Sequence, residues 1–330
     1  MVAVHSTARG PSLGGCRMWH YEDNRAAQRD VLRLSRAMTY KAAVANLPLG
    51  GGKGVIALPQ PEPPAGARRR DVLLDFADTV DALKGAYITA EDVGTSARDM
   101  TVIARATKHV SGLARSRGGS GDPSPSTALG VAAAIEAACE RALGSASVKG
   151  RSVAVVGLGH VGLRLAALLA RRGAELLVAD IDGAKRAEAA RIGARWTTPE
   201  SAMTAEVDVL APCALGGVLH DGSVPALQCP VVAGAANNQL ADETVAEQLA
   251  GRGILWAPDF VANAGGIINI SVELERGGYD PGRARERVQG IGDTIREIFD
   301  AASADRVTPL AAAMRLAAKR VAEGAGAGRR

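Results

Sequence analysis

Aromatic side chains make up only 3% of this 330-residue chain. That scarcity excludes cores built on stacked rings. It also leaves the basic clusters Arg68-Arg69-Arg70 and Arg329-Arg330 without interleaved aromatics, so they read as solvated faces and not as a nucleic-acid surface. An excess of one charge sign is lacking too, with a formal net charge of +4. The cysteines Cys16, Cys139, Cys213 and Cys229 form no Cys-x-x-Cys pair. Reduced, packed thiols are expected, and no metal site. No apolar run approaches the ~18 residues that span a bilayer, and the first residues show no basic-then-apolar leader. These absences lead to an expected cytoplasmic protein with no nucleic-acid or membrane partner.

What the chain does have is length and small apolar residues. A chain of 330 residues supports two cores. Its 47% hydrophobic content, much of it alanine beside abundant glycine, favours close packing of helices and strands. Asp23 or Asn24 can cap a helix whose apolar positions Ala27, Val31, Leu34 and Met38 step by four, three and four. Lys41 continues that stripe, and Lys53 follows three glycines. An ammonium in either place is costly unless an anionic or electron-rich group meets it. Spacing alone leaves Lys41 open to snorkelling and Lys53 open to being a phosphate-facing loop lysine. Burial and a neighbouring cation would both disfavour the charged form of Lys53.

Residues 54–58 read as a buried strand, 59–64 as a stiff surface loop and 71–83 as a helix. Residues 86–89 read as a strand that delivers Asp92, either as an acid/base group or as the cap of a helix over 95–106. The stretch Arg117-Gly-Gly-Ser-Gly-Asp-Pro-Ser-Pro125 is a hinge, followed by a helix over 126–141. Short apolar strands at 152–156, 176–179, 207–210, 231–233 and 254–256 then alternate with helices, which predicts a parallel sheet covered on both faces. Helices are expected over 264–276, 283–302 and 309–322, with a disordered tail from Gly324.

Gly157-Leu-Gly159-His-Val-Gly162 follows the strand at 152–156 and opens a helix over 161–171. Glycines there permit a tight turn and let backbone approach a pyrophosphate at the helix N-terminus. Asp180 lies twenty-three residues after Gly157, at the end of the next strand. A carboxylate there accepts from ribose hydroxyls and repels a 2′-phosphate, so NAD is expected over NADP.

A family resemblance rests on ordered runs. They are Gly10-Pro-Ser-Leu-Gly-Gly-Cys-Arg17, the run 38–53, Tyr87-Ile-Thr-Ala-Glu-Asp-Val-Gly94 and Gly118-Gly-Ser-Gly-Asp-Pro-Ser-Pro-Ser-Thr-Ala128. The dinucleotide turn, Ala211-Pro-Cys-Ala214, Gly234-Ala-Ala-Asn-Asn238 and Ala257-Pro-Asp-Phe-Val-Ala-Asn-Ala-Gly-Gly266 follow. Together they resemble the amino-acid dehydrogenases acting on glutamate, leucine, phenylalanine and valine. The resemblance implies an α/β chain of two domains. An N-terminal α/β substrate domain (1–122) would precede a Rossmann-type doubly wound NAD-binding domain (123–306). The segment 307–330 would return to the first domain, and the active site is expected between the two.

The roles it implies are specific. Lys41 would pair with the substrate carboxylate, lined by Gly14 and Gly15. Lys53 would activate the water that attacks the iminium carbon, and Asp92 would shuttle protons. Hydride would pass from the substrate Cα to the nicotinamide. Thr127, Ala214, Asn237 and Arg17 would lie near the dinucleotide, with Asn237 also facing substrate. Leu13, Ala90 and Ile270 would form the side-chain pocket. Nothing charged stands there, which argues against glutamate and for leucine, valine or isoleucine, with phenylalanine as the alternative. About two dozen residues that usually precede Val2 in the family are missing, so a sheet edge is expected to be exposed, inviting a homo-oligomeric contact. A hydroxy-acid dehydrogenase sharing only the dinucleotide fold is a rival reading. A non-catalytic NAD-binding regulator is a second.

Overall fold

In the computed structural model, which describes residues 1–327, each of two units is organised on its own sheet. The first unit comprises Met1–Pro123, Ile267–Ala284 and the stretch from Leu316 onward. The second comprises Ser124–Gly266 and Arg285–Arg315. The segment Ile267–Ala284, expected with the second domain, therefore packs with the first unit. Its anchor is Glu273, whose carboxylate accepts from the backbone N–H groups of Gly112, Leu113 and Ser120 at 3.1, 3.3 and 2.9 Å.

The first unit begins with strands β1 (Val2–Ser6) and β2 (Ser12–His20), helix α1 (Asn24–Val44) and strand β3 (Gly50–Leu58). Helix α2 (Gly66–Asp81), strand β4 (Tyr87–Glu91) and helix α3 (Ala97–Ile103) follow. The sheet order is β1-β3-β2-β4, with β1 antiparallel to β3 and the other pairs parallel. Asp23 caps α1 by accepting from the Ala26 N–H at 2.6 Å, a contact worth about 1 kcal/mol.

The buried stripe of α1 is Ala27, Val31, Ser35 and Thr39, while Leu34, Met38 and Lys41 are only partly buried on its flank. This corrects the expected apolar stripe. The Ser35 hydroxyl donates to the Leu32 carbonyl at 2.8 Å and the Thr39 hydroxyl to the Ser35 carbonyl at 3.3 Å. With their polar atoms satisfied inside the helix, these small residues can be buried at little cost, and they let a strand come close. A Cβ built on Gly51 would lie 2.0 Å from the Thr39 nitrogen. On the opposite face, a Cβ on Gly52 would meet the Tyr87 ring at 2.7 Å, and one on Gly54 the Phe76 ring at 2.5 Å. The glycine run is thus strand squeezed between helix and ring, which removes the loop-lysine reading of Lys53.

The second unit opens with helix α4 (Ser124–Leu143), strand β5 (Ser152–Val156), helix α5 (His160–Arg171) and strand β6 (Glu175–Ala179). Helix α6 (Arg186–Arg191), strand β7 (Arg195–Trp196), helix α7 (Pro199–Met203) and strands β8 (Val209–Pro212) and β9 (Val231–Val232) come next. Helix α8 (Val245–Gly251), strand β10 (Leu255–Trp256) and helix α9 (Asp259–Ala262) complete the alternation. All strands are parallel in the order β10-β9-β8-β5-β6-β7. That is the doubly wound order, with its switch point between β5 and β8. The centre is apolar on both faces: Val153, Val155, Val178, Val209, Val231 and Val232 are fully buried.

Helices α10 (Gly265–Glu273), α11 (Pro281–Gln289), α12 (Ile291–Asp305) and α13 (Pro309–Ala327) end the chain. The single helix expected over 283–302 is two helices that meet at Gly290. The expected disordered tail is also corrected, because residues 324–327 continue α13. The Arg9 guanidinium donates to the Arg320 carbonyl at 2.7 Å, and Gly324 lies so close that a Cβ would meet the Ala8 carbonyl oxygen at 2.8 Å. Gly328, Arg329 and Arg330 lie outside the described residues. No described helix is long and apolar enough to cross a membrane.

Candidate active site

Lys53 stands on β3 with 5% of its surface exposed. Its ammonium Nζ lies 2.7 Å from Oδ2 of Asp92, the residue just past the end of β4. The same Oδ2 accepts from Nε of Arg17 at 3.1 Å. Burial works against ionising Asp92, but the Lys53 ammonium and then the Arg17 guanidinium outweigh it and hold the carboxyl below its usual range. The contact partner of Lys53 is therefore a carboxylate, which it shares with a second cation, Arg17. Removing Asp92 would leave the buried Lys53 ammonium without this partner, a cost on the order of 3–5 kcal/mol.

The capping alternative for Asp92 does not hold. Helix α3 is capped by Ser96, which forms a reciprocal capping box with Asp99. The Asp92 N–H instead donates to Oγ1 of Thr95 at 2.9 Å. The Asp92 carboxylate is left to the two cations.

Glycines make room for this pair. A Cβ on Gly15 would lie 2.7 Å from Asp92 Cβ, and one on Gly14 only 1.7 Å from the Gly52 oxygen. The Gly14 carbonyl accepts from the hydroxyl of the fully buried Tyr87 at 2.6 Å, which locks the strand there. Lys41 is partly buried near the end of α1 in the same unit. Leu13, Ala90 and Ile270 are all buried in this unit as well. Register aligns Leu13 with Ile88 and Gly15 with Ala90, so Leu13 and Ala90 share a sheet face. Gly112, at φ +71°, comes near them: a Cβ there would be 3.9 Å from Ala90 Cβ.

Arg17, expected near the dinucleotide, sits on β2 with its guanidinium engaged by Asp92 and by Asp30 at 2.9 Å. Its two carboxylate partners come from separate parts of the chain, so the motif did not reveal them. Glu273 was missed for a similar reason, because its partners are backbone groups of a distant loop.

The second unit gathers the other set. Gly157 follows β5 at φ +102°, where a Cβ would also be 2.6 Å from Ala214 Cβ. Gly159 precedes α5, and a Cβ there would meet no protein atom within 4 Å. Gly162, inside α5, would meet the Gly157 oxygen at 1.9 Å. The three glycines thus serve the turn, an open approach to the helix N-terminus, and close helix packing, the division a pyrophosphate cradle requires. Asp180 follows β6, and its two carboxylate oxygens accept from the N–H groups of Leu158 (2.6 Å) and Asp182 (2.8 Å). Thr127 lies in the first turn of α4, where Gly265 packs closely against it. Asn237 accepts through Oδ1 from Asn263 Nδ2 at 2.9 Å. Asn263 itself is buried, with its Oδ1 lacking any partner. A buried carbonyl without a donor fits a ligand donor. The Asn263 site went unremarked in sequence, although it falls within the run 257–266.

Two profiles describe almost the whole chain. The dimerisation domain of Glu/Leu/Phe/Val dehydrogenase matches residues 1–109. Glutamate/leucine/phenylalanine/valine dehydrogenase matches 118–189 and 181–327. Leucine dehydrogenase of Thermoactinomyces intermedius is 42% identical over 322 residues, covering 97% of this chain and 86% of the relative. Valine dehydrogenase of Streptomyces virginiae is 43% identical over 327 residues, covering 98% and 90%. The crystal structure of L-tryptophan dehydrogenase from Nostoc punctiforme superposes with a TM-score of 0.85 at 41% identity, covering 98% of this chain and 91% of that one. With these likenesses added to its charged strand site and its dinucleotide-type turn, the chain belongs to the glutamate/leucine/phenylalanine/valine dehydrogenase family and is an amino-acid dehydrogenase.

Proposed function

We propose that this enzyme oxidatively deaminates a hydrophobic L-amino acid with NAD. The products are the 2-oxo acid, ammonia and NADH, and the reaction is reversible. The observation that carries the reading is the ion pair of buried Lys53 with partly exposed Asp92 at 2.7 Å. Lys41 pairs with the substrate carboxylate beside Gly14 and Gly15. Asp92, held ionised, takes a proton from the substrate amino group. Lys53 Nζ takes the proton of the water that adds to the iminium carbon, and Asp92 returns its proton to the nitrogen of the carbinolamine, which leaves as ammonia and carries off the hydroxyl proton as ammonium. When bound, the nicotinamide of NAD supplies the hydride acceptor.

The second unit is the dinucleotide domain in this reading. Gly157, Gly159 and Gly162 would hold the pyrophosphate and Asp180 the adenosine ribose, with Ala214, Thr127, Asn237 and Asn263 toward the remainder. NAD is favoured over NADP because Asp180 repels a 2′-phosphate. The basic residues that follow it are also engaged: Lys185 pairs with Glu188 at 3.3 Å, and Arg186 lies over the Trp196 ring at 5.5 Å. Leucine, valine or isoleucine is favoured as substrate, since Leu13, Ala90 and Ile270 offer a narrow apolar wall with no cation for a second carboxylate. The leucine and valine dehydrogenase relatives support that choice. One methylene is worth only ~1–3 kcal/mol in such a pocket, so the range is broad. A cytoplasmic homo-oligomer is the proposed setting, supported by the dimerisation domain that the first profile describes.

The test is NAD reduction over an amino-acid panel at alkaline pH, with NADP in parallel. Branched aliphatic substrates with NAD should give the highest kcat/KM, and the reverse reaction should require ammonium. Phenylalanine or tryptophan as best substrate would move the enzyme to the aromatic group. Glutamate as best substrate, or preference for NADP, would overturn the pocket or the Asp180 argument.

A further inference from the structure

Asp92 is gripped from a second side by a residue that the mechanism leaves unused. Arg17 reaches it from β2 through Nε, at 3.1 Å from Oδ2. The other end of the guanidinium is fixed, with Nη1 donating to Oδ2 of Asp30 on α1 at 2.9 Å. Asp30 is itself pinned by the Tyr21 hydroxyl at 2.8 Å and by Nη2 of Arg33 at 2.9 Å. Asp92 therefore ends a chain of charge-assisted hydrogen bonds rooted in a helix, and a planar guanidinium passes direction along such a chain as a lysine would not.

We propose that Arg17 is a positioning residue for Asp92, fixing the direction of its carboxylate and supplying the second positive charge that faces it. The proposal rests on the acid–base role given to Asp92 above. The surroundings leave these two cations dominant. From β3 comes Lys53, and from β2 come Arg17 and the thiol of Cys16, which burial pushes up to about 12 and so keeps neutral. On its own strand, burial raises the Tyr87 hydroxyl far above its usual range, and Glu91 is raised by burial and then by Asp122. Asp30 on α1 stands behind Arg17, and Asp99 on α3 is paired with Arg69 at 2.8 Å.

The consequence has a definite sign. Burial alone raises a carboxyl, and the facing cations lower this one. Taking Arg17 away removes part of the lowering. The basic form of Asp92 is then lost at a higher pH as the solution is acidified, so the acid limb of activity moves up.

The experiment measures the pH profile of kcat/KM in the reductive direction, together with NADH affinity by fluorescence, for Arg17→Gln, Arg17→Lys and Asp30→Asn. Arg17→Gln should lower kcat about tenfold to a hundredfold, as a misaimed catalytic group does. Its acid limb should rise by about one pH unit or more, with NADH affinity within about twofold of the parent. Arg17→Lys should recover part of both effects, because the charge returns without the fork. Asp30→Asn, which unclamps Arg17 without touching the Asp92 contact, should shift both readouts in the same direction by less. It also carries the test if Arg17→Gln melts early by circular dichroism. A lower kcat with the acid limb at its original position would overturn the proposal. So would weaker NADH binding with kcat at saturation unchanged, which would return Arg17 to the dinucleotide. If Asp92→Asn kept full turnover, the acid–base reading itself would fall, whatever Arg17 does.

Discussion

Around the Lys53–Asp92 site of the first unit glycine brings backbone against backbone, whereas at Gly159 of the second unit it leaves space. At Gly14, Gly15 and Gly51 a Cβ would press within 2.5 Å of main-chain atoms of a neighbouring strand or helix. At Gly159 it would touch nothing. The difference follows from what each unit handles. Side-chain charges on adjacent strands must be held within a few ångström, so the sheet and its covering helix are compressed. A phosphate-binding turn needs exposed N–H groups, so side chains are kept off it. Glycine in the first unit should therefore matter to folding, and Gly159 in the second to ligand affinity.

Two substitutions can break that contrast. Gly51→Ala has the larger expected effect. It drives a methyl into the Thr39 backbone, and overpacking costs about 1–3 kcal/mol even against yielding side chains. Thermal denaturation should show a Tm lower by several degrees, with most turnover lost. Gly159→Ala should change stability by about 1 kcal/mol or less while weakening NADH binding about tenfold, measured by fluorescence titration. If Gly51→Ala were as stable as the parent, the account of the glycine run as a packing device would be wrong. An unaltered NADH affinity in Gly159→Ala would remove the approach argument.

Much of this was legible in the sequence, unevenly so. The second unit announced itself because its signals are local: apolar strands, a glycine turn and an acidic residue at a set interval. Even there β7 escaped notice, since a two-residue strand has no alternation to read. In the first unit Lys53 and Asp92 stood out as motif residues, but their pairing is a property of the β2, β3 and β4 register. The stripe of α1 was misplaced because Ser35 and Thr39 look polar, and only internal hydrogen bonds make them good core residues. The carboxylate partners of Arg17 and the role of Glu273 were not legible because those partners are distant in sequence and, for Glu273, are backbone atoms that every residue carries.

The central claim is that the Lys53–Asp92 pair performs the chemistry while the dinucleotide is held by other residues. Lys53→Ala, compared with the parent for kcat in the panel assay and for NADH affinity by fluorescence, tests it most directly. The account predicts a fall in kcat of about 10²–10⁴-fold with NADH affinity within about twofold. A variant that kept most of its kcat would contradict it.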